Sequence, residues 1–143
     1  MPDHCFTYGS LMCDDIMGAV CAAAPLSPLP ARLAGYRRAP VIGVEYPGMV
    51  PAADGLVEGV LYLDLPATAW PRLDAFEGDE YQRSEVEVEL PDGRRLAAWT
   101  YVFKPEYAAR LGEGEWDFAR FLKTGKARFE ALYMGFDVLG REG

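Results

Sequence analysis

The chain has 143 residues, half of them hydrophobic and a quarter charged, the composition of a folded domain rather than of a disordered segment. Fourteen basic against twenty-two acidic residues leave a formal charge of −8, which repels phosphate backbones and points away from nucleic acid toward a small-molecule partner. No stretch reaches the apolar length of a membrane span, and Met1-Pro2-Asp3-His4-Cys5 carries neither the basic start nor the apolar run of a secretory signal. The expectation is a soluble, cytoplasmic, single domain over residues 1–143 with no membrane partner.

Cys5 to Tyr8 reads as a short strand ending at Gly9-Ser10, and the Ala-, Met- and Leu-rich run from Leu11 to Ala24 as a helix with Asp14 and Asp15 at its positive end. Prolines at 25, 28 and 30 stop that helix and predict an extended connector. Ala31 to Val44 reads as one or two strands broken at Gly35 and Pro40, with Tyr36, Val41, Ile42 and Val44 offered to the core. Pro47-Gly48 and Ala53-Asp54-Gly55 predict turns. Leu56 to Leu65 is the clearest core strand, and Gly59 within it marks a bulge or a close backbone approach.

Ala67 to Glu77 places Leu73 and Phe76 at helical spacing. Val86, Val88 and Leu90 alternate with Glu85, Glu87 and Glu89, Asp92-Gly93 supplies a tight turn, and Arg95 to Phe103 returns as the partner strand, with Arg94 and Arg95 available to the glutamates. A short helix over Glu106 to Arg110 follows. An amphipathic helix then carries Phe118, Phe121, Leu122, Phe129, Leu132 and Tyr133, and residues 135–143 form a tail. Strands, an antiparallel hairpin and few helices, without alternating βαβ units, predict an α+β domain on a curved or closed antiparallel sheet.

Cys5, Cys13 and Cys21 read as small apolar residues, because three cysteines in a chain expected in the cytosol make no disulfide framework and their spacing with His4 matches no zinc pattern. A single histidine leaves little for histidine-based catalysis. Two stretches carry chemistry. Tyr8-Gly9-Ser10-Leu11, where strand gives way to helix, is either an ordinary turn or a nest of backbone N–H groups that binds an anion such as a carboxylate. In Leu73-Asp74-Ala75-Phe76-Glu77-Gly78, followed by Tyr81 and Arg83, Glu77 either joins Asp74, Asp79 and Glu80 in a solvated rim or sits in a pocket with a raised pKa.

Taken together, these two stretches, with Ala31 to Tyr36, Tyr46-Pro47-Gly48, Pro51 and Val57-Glu58-Gly59-Val60, resemble the gamma-glutamylcyclotransferase-like superfamily, specifically its AIG2-like branch, from Cys5 through Tyr101. Gly114 to Asp117 also looks like that family's late Trp-containing loop. The resemblance implies a small, mostly antiparallel β-barrel flanked by short helices. It further implies that Glu77 is the catalytic acid/base, and that Tyr8, Gly9, Ser10 and Leu11 bind the substrate's α-carboxylate or α-amino end. Tyr81 and Tyr101 are expected to line the same cavity, and Arg83 to pair with a neighbouring acid. The implied reaction is an acyltransferase-type cyclisation of a γ-glutamyl amine or peptide, releasing 5-oxoproline and the free amine with no metal or cofactor. The alternative is a non-catalytic small-molecule-binding or regulatory module on the same fold. Oligomeric state is not readable from the chain.

Overall fold

The structure, a computed structural model, describes residues 3–22, 26–43 and 46–125. Five strands close into a barrel in the order β1-β3-β2-β4-β5: β1 (Cys5–Thr7), β2 (Pro28–Pro40), β3 (Pro47–Tyr62), β4 (Tyr81–Glu89) and β5 (Arg95–Phe103). Every neighbouring pair is antiparallel except β1 with β5, which meet in parallel at Cys5 and Trp99. The Trp99 N–H donates to the His4 carbonyl at 2.9 Å at that seam. This is the expected α+β barrel with short helices, α1 (Asp14–Cys21), α2 (Ala69–Glu77) and α3 (Phe118–Arg120).

Alternation along the strands builds two apolar clusters, one on each face of the sheet. Phe6, Leu33, Met49, Val57, Val88 and Ala98 bring all five strands into one, which fills the barrel. Their neighbours Cys5, Tyr62 and Tyr101 turn the other way, onto Ile16 and Met17 of α1 and Leu73 of α2. The buried thiols of Cys5, Cys13 and Cys21 belong to this second cluster.

Two expectations about strand boundaries are corrected. Pro28 and Pro30 lie inside β2, not in a connector. The Leu63 N–H donates to the Ser27 carbonyl at 3.1 Å, so the odd-numbered residues here bond β3 and the ring nitrogens of Pro28 and Pro30 face the opposite edge, where a missing N–H breaks no ladder. Pro47-Gly48 and Ala53-Asp54-Gly55 lie inside the 16-residue β3 rather than in turns. Pairing jumps from Ala34↔Leu56 to Tyr36↔Pro51, so residues 52–55 are looped out opposite Gly35, a bulge in the long ribbon. The close approach expected at Gly59 is present: a Cβ there would stand 2.1 Å from the Thr7 carbonyl oxygen.

The β4–β5 hairpin runs in unbroken register from Tyr81↔Phe103 to Glu89↔Arg95. Arg95 approaches Glu87 and Glu89, whereas Arg94 pairs with Asp92 in the turn. Ile42, expected in the core, is 68% exposed, and Val44 is outside the described residues. Pro105–Arg110 forms a 3₁₀ segment. The predicted late helix begins at Phe118 behind an Asp117 cap, then widens into a π-turn over Phe121–Gly125. Its continuation through Phe129, Leu132 and Tyr133 and the 135–143 tail lie outside the described residues. No described helix is long and apolar enough to cross a membrane.

Candidate functional site

Glu77 is the last residue of α2. Trp70 and Leu73 are buried on the face of α2 that meets the barrel, and Glu77 stands four residues beyond Leu73, so helical spacing carries its carboxylate to the same side. Gly78, at φ +81°, ends the helix there, and its N–H donates to the Asp74 carbonyl at 3.1 Å. Gly78 then turns the chain toward β4.

The facing wall is the loop after β1. Its Ser10–Met12 segment is a 3₁₀ turn in which Met12 N–H donates to the Gly9 carbonyl at 3.0 Å and Cys13 N–H to the Ser10 carbonyl at 3.1 Å. Those bonds use carbonyls and leave the Gly9, Ser10 and Leu11 amides with no acceptor among the described residues. Gly9 lies against Pro47, where a Cβ would come within 2.7 Å of the proline ring. Arg38 braces the loop from outside: Nη1 donates to the Tyr8 carbonyl at 2.8 Å, Nε to Glu115 Oε1 at 2.7 Å, and the guanidinium lies over the Trp116 ring. A trans peptide holds its C=O and N–H on opposite sides, so a grip on the Tyr8 carbonyl aims the Gly9 N–H away from Arg38.

Between the loop and α2 lies a cavity of about 70 Å³ lined by Phe6, Thr7, Tyr8, Gly9, Ser10, Leu11, Tyr46, Pro47, Phe76, Glu77, Tyr81 and Tyr101. One water needs roughly 10–15 Å³, so several heavy atoms fit. All seven residues expected at the site line this one space. Among the described residues no Lys, Arg or His lines it, and the Glu77 carboxylate has no hydrogen bond or ion pair to a described residue.

Desolvation by the surrounding apolar and aromatic groups pushes the Glu77 carboxyl up from 4.5 to about 8. Burial first, then the nearby Glu77 charge, also holds the Tyr8 phenol and the Cys5 thiol well above their usual ranges. Around the site, the Tyr8 phenol donates to the Tyr101 carbonyl at 2.5 Å, the Tyr81 phenol to the Pro47 carbonyl at 2.7 Å, and the Tyr101 phenol to Asp74 Oδ1 at 2.7 Å. Asp74 is itself 3.5 Å from Arg83 Nε, and the Arg83 guanidinium lies between the rings of Trp70 and Trp99. The acidic stretch is therefore divided. Glu77 faces the cavity, Asp74 orients Tyr101, Asp79 is exposed, and Glu80 bonds Arg110 rather than standing free on the surface. Among the described residues no group of three or more His, Cys, Asp or Glu side chains is placed to hold a metal ion.

Beyond those seven residues, the cavity is lined by Phe6, Thr7, Tyr46, Pro47 and Phe76. Tyr46-Pro47 was legible only as part of a resemblance, because its place at the wall depends on β3 reaching the loop after β1.

The sequence model of the family described as gamma-glutamyl cyclotransferase, AIG2-like, matches residues 5–118. The chain belongs to that family. It is 34% identical over 137 residues to the AIG2-like protein D of Arabidopsis thaliana, covering 89% of each chain. An Arabidopsis thaliana protein solved in solution superposes with a TM-score of 0.67 at 28% identity, over 91% of this chain and 87% of that one. A structure titled gamma-glutamyl cyclotransferase superposes with a TM-score of 0.63 at 17% identity, over 73% of this chain and 68% of its own, a likeness of fold. The AIG2-like match spans β1 through the Trp116 loop and contains every lining residue of the cavity.

Proposed function

We propose that the protein is a gamma-glutamylcyclotransferase in which Glu77 is the general base and then the general acid. The reading is supported above all by one observation: a desolvated carboxylate and the unbonded amides of a tight loop line the same cavity. The substrate's α-carboxylate lies against the Gly9, Ser10 and Leu11 amides, because neutral N–H donors are what this wall offers an anion. Its α-ammonium is directed toward Glu77.

The proton balance is closed by one residue. In the empty cavity desolvation favours the protonated carboxyl, while an arriving ammonium brings the positive charge that favours the carboxylate. Glu77 takes a proton from the ammonium and the freed amine attacks the γ-carbonyl carbon, forming the ring C–N bond. The bond from that carbon to the departing nitrogen breaks as Glu77 returns the proton to it, and the second proton, shed by the ring nitrogen on closure, passes by way of the Glu77 carboxylate to the departing amine. The products are 5-oxoproline and the free amine. Holding nucleophile and carbonyl in one small space supplies the rest of the acceleration through orientation.

Glu77→Gln keeps the shape and removes the proton transfer. Its expected outcome is loss of 5-oxoproline release by roughly 10²- to 10⁴-fold, with an unchanged circular-dichroism spectrum. Turnover at the wild-type rate in this variant would discard the assignment. A wild-type protein that binds such amines and releases no 5-oxoproline would instead be a binding module on the same fold.

A further inference from the structure

We propose that Arg38 is a positioning residue for the substrate's α-carboxylate: from outside the cavity it holds the Tyr8 carbonyl, aims the Gly9 N–H inward and lends that amide its positive charge, so the anion is countered through a peptide group. The role rests on the reading of the cavity as a γ-glutamyl site and deepens it by naming the source of the counter-charge.

An anion is to be held where, among the described residues, no Lys, Arg or His lines the space. Gly9 is buried, lines the cavity and has an amide with no acceptor among the described residues, and a buried donor of that kind calls for a partner. Arg38 lies on the far side of the same peptide group. Its side chain is only 14% exposed, and Nη1 donates to the Tyr8 carbonyl at 2.8 Å and to the Glu58 carbonyl at 3.3 Å. With Nε on Glu115 and the guanidinium over the Trp116 ring, one side chain ties β2 to the loop after β1, to β3 and to the late Trp116 loop. So anchored, it has little freedom to turn away from Tyr8.

The charge acts beyond the bond. Hydrogen bonds in series polarise one another, so a guanidinium on the Tyr8 oxygen makes the Gly9 N–H a stronger donor. A carboxylate on that N–H stands about 8 Å from Arg38, close enough for opposite unit charges within a protein to change affinity by about tenfold. Glu115 does not cancel this, because its side chain is 65% exposed and water screens it. The charge is felt inside the cavity: burial first, then Glu77 and Cys5, hold the Tyr8 phenol up, and Arg38 pulls against them. Arg83 serves the α2 side instead, where it faces Asp74 at 3.5 Å.

Calorimetric titration with 5-oxoproline, the product of the proposed reaction, and 2-pyrrolidinone, the same ring without its carboxylate, isolates the anion's share. Wild type is expected to prefer 5-oxoproline. In Arg38→Met, which keeps a long side chain and removes the charge, that preference should fall about tenfold while 2-pyrrolidinone binding changes little. Packing alone would weaken both rings by one common factor, and that result overturns the proposal, as does an undiminished preference in the variant or none in wild type. Glu115→Gln keeps the hydrogen bond to Nε and removes the opposing charge, so the preference should rise by about twofold. Should Arg38→Met not fold, Glu115→Gln decides alone, and a preference that does not rise overturns the proposal. Release of 5-oxoproline from a γ-glutamyl amine by wild type, measured separately, reports on the cyclisation. An inactive protein with an Arg38-dependent preference keeps the carboxylate grip and loses the reaction, and an active one without that dependence does the reverse.

Discussion

At the scale of single residues the molecule turns on one carboxyl group held against its solvation preference. Burial raises the Glu77 pKa from 4.5 to about 8, and a group whose folded pKa lies above its unfolded one gives its full stabilisation below the lower value. Between pH 4.5 and about 8 the unfolded chain releases this proton while the folded protein retains it, so stability falls as pH rises through that window. Above about 8 both states are ionised and the difference is constant. Glu77→Gln lacks this titration, so the variant should gain on wild type steadily across the window and hold that advantage above it. Each pH unit of the window carries at most about 1.4 kcal/mol. Urea denaturation of both proteins at pH 4, 6 and 8.5 measures the gap, and a gap that stays the same at all three would place the carboxyl in water.

At the scale of elements, the site is a contact between a loop and a helix end, and Gly9 is where space is tightest. A methyl added at Gly9 would meet the Pro47 ring at 2.7 and 2.8 Å, and Pro47 is the residue whose carbonyl receives the Tyr81 phenol. Gly9→Ala should therefore shift both walls, costing about 1–3 kcal/mol as overpacking does and raising KM for a γ-glutamyl amine. Chemical denaturation with steady-state kinetics checks both parts. The loop and the acidic helix end were legible in the sequence because each is a short local pattern: glycine after a strand, and a carboxylate four residues beyond a core leucine. The opposite wall was not. Phe6, Thr7 and Pro47 reach the cavity through strand register, and β3 was misread as broken because its proline and glycines resemble turn signals, whereas the structure absorbs them in a bulge and at close approaches.

At the scale of the whole molecule, the barrel closes through β1, a strand of only three residues. Besides the Cys5–Trp99 pairing, the buried Thr100 hydroxyl donates to the Phe6 carbonyl at 2.9 Å, joining positions 94 residues apart. Thr100→Val keeps the volume and removes that donor, leaving the buried Phe6 carbonyl only the weak contact of the Cys5 thiol at 3.9 Å. The expected loss is about 1–3 kcal/mol, read as a lower denaturation midpoint with an unchanged m-value. The order of assembly follows from the same seam. The β4–β5 hairpin is made of near neighbours in the chain and forms early, while β1 pays the full loop-closure entropy and docks late. The loop that faces Glu77 is attached to β1 and leaves the ribosome well before α2, so during synthesis the half-built chain carries the loop without the acid, and the cavity gains its Tyr101 wall only when β5, the last strand made, is in place.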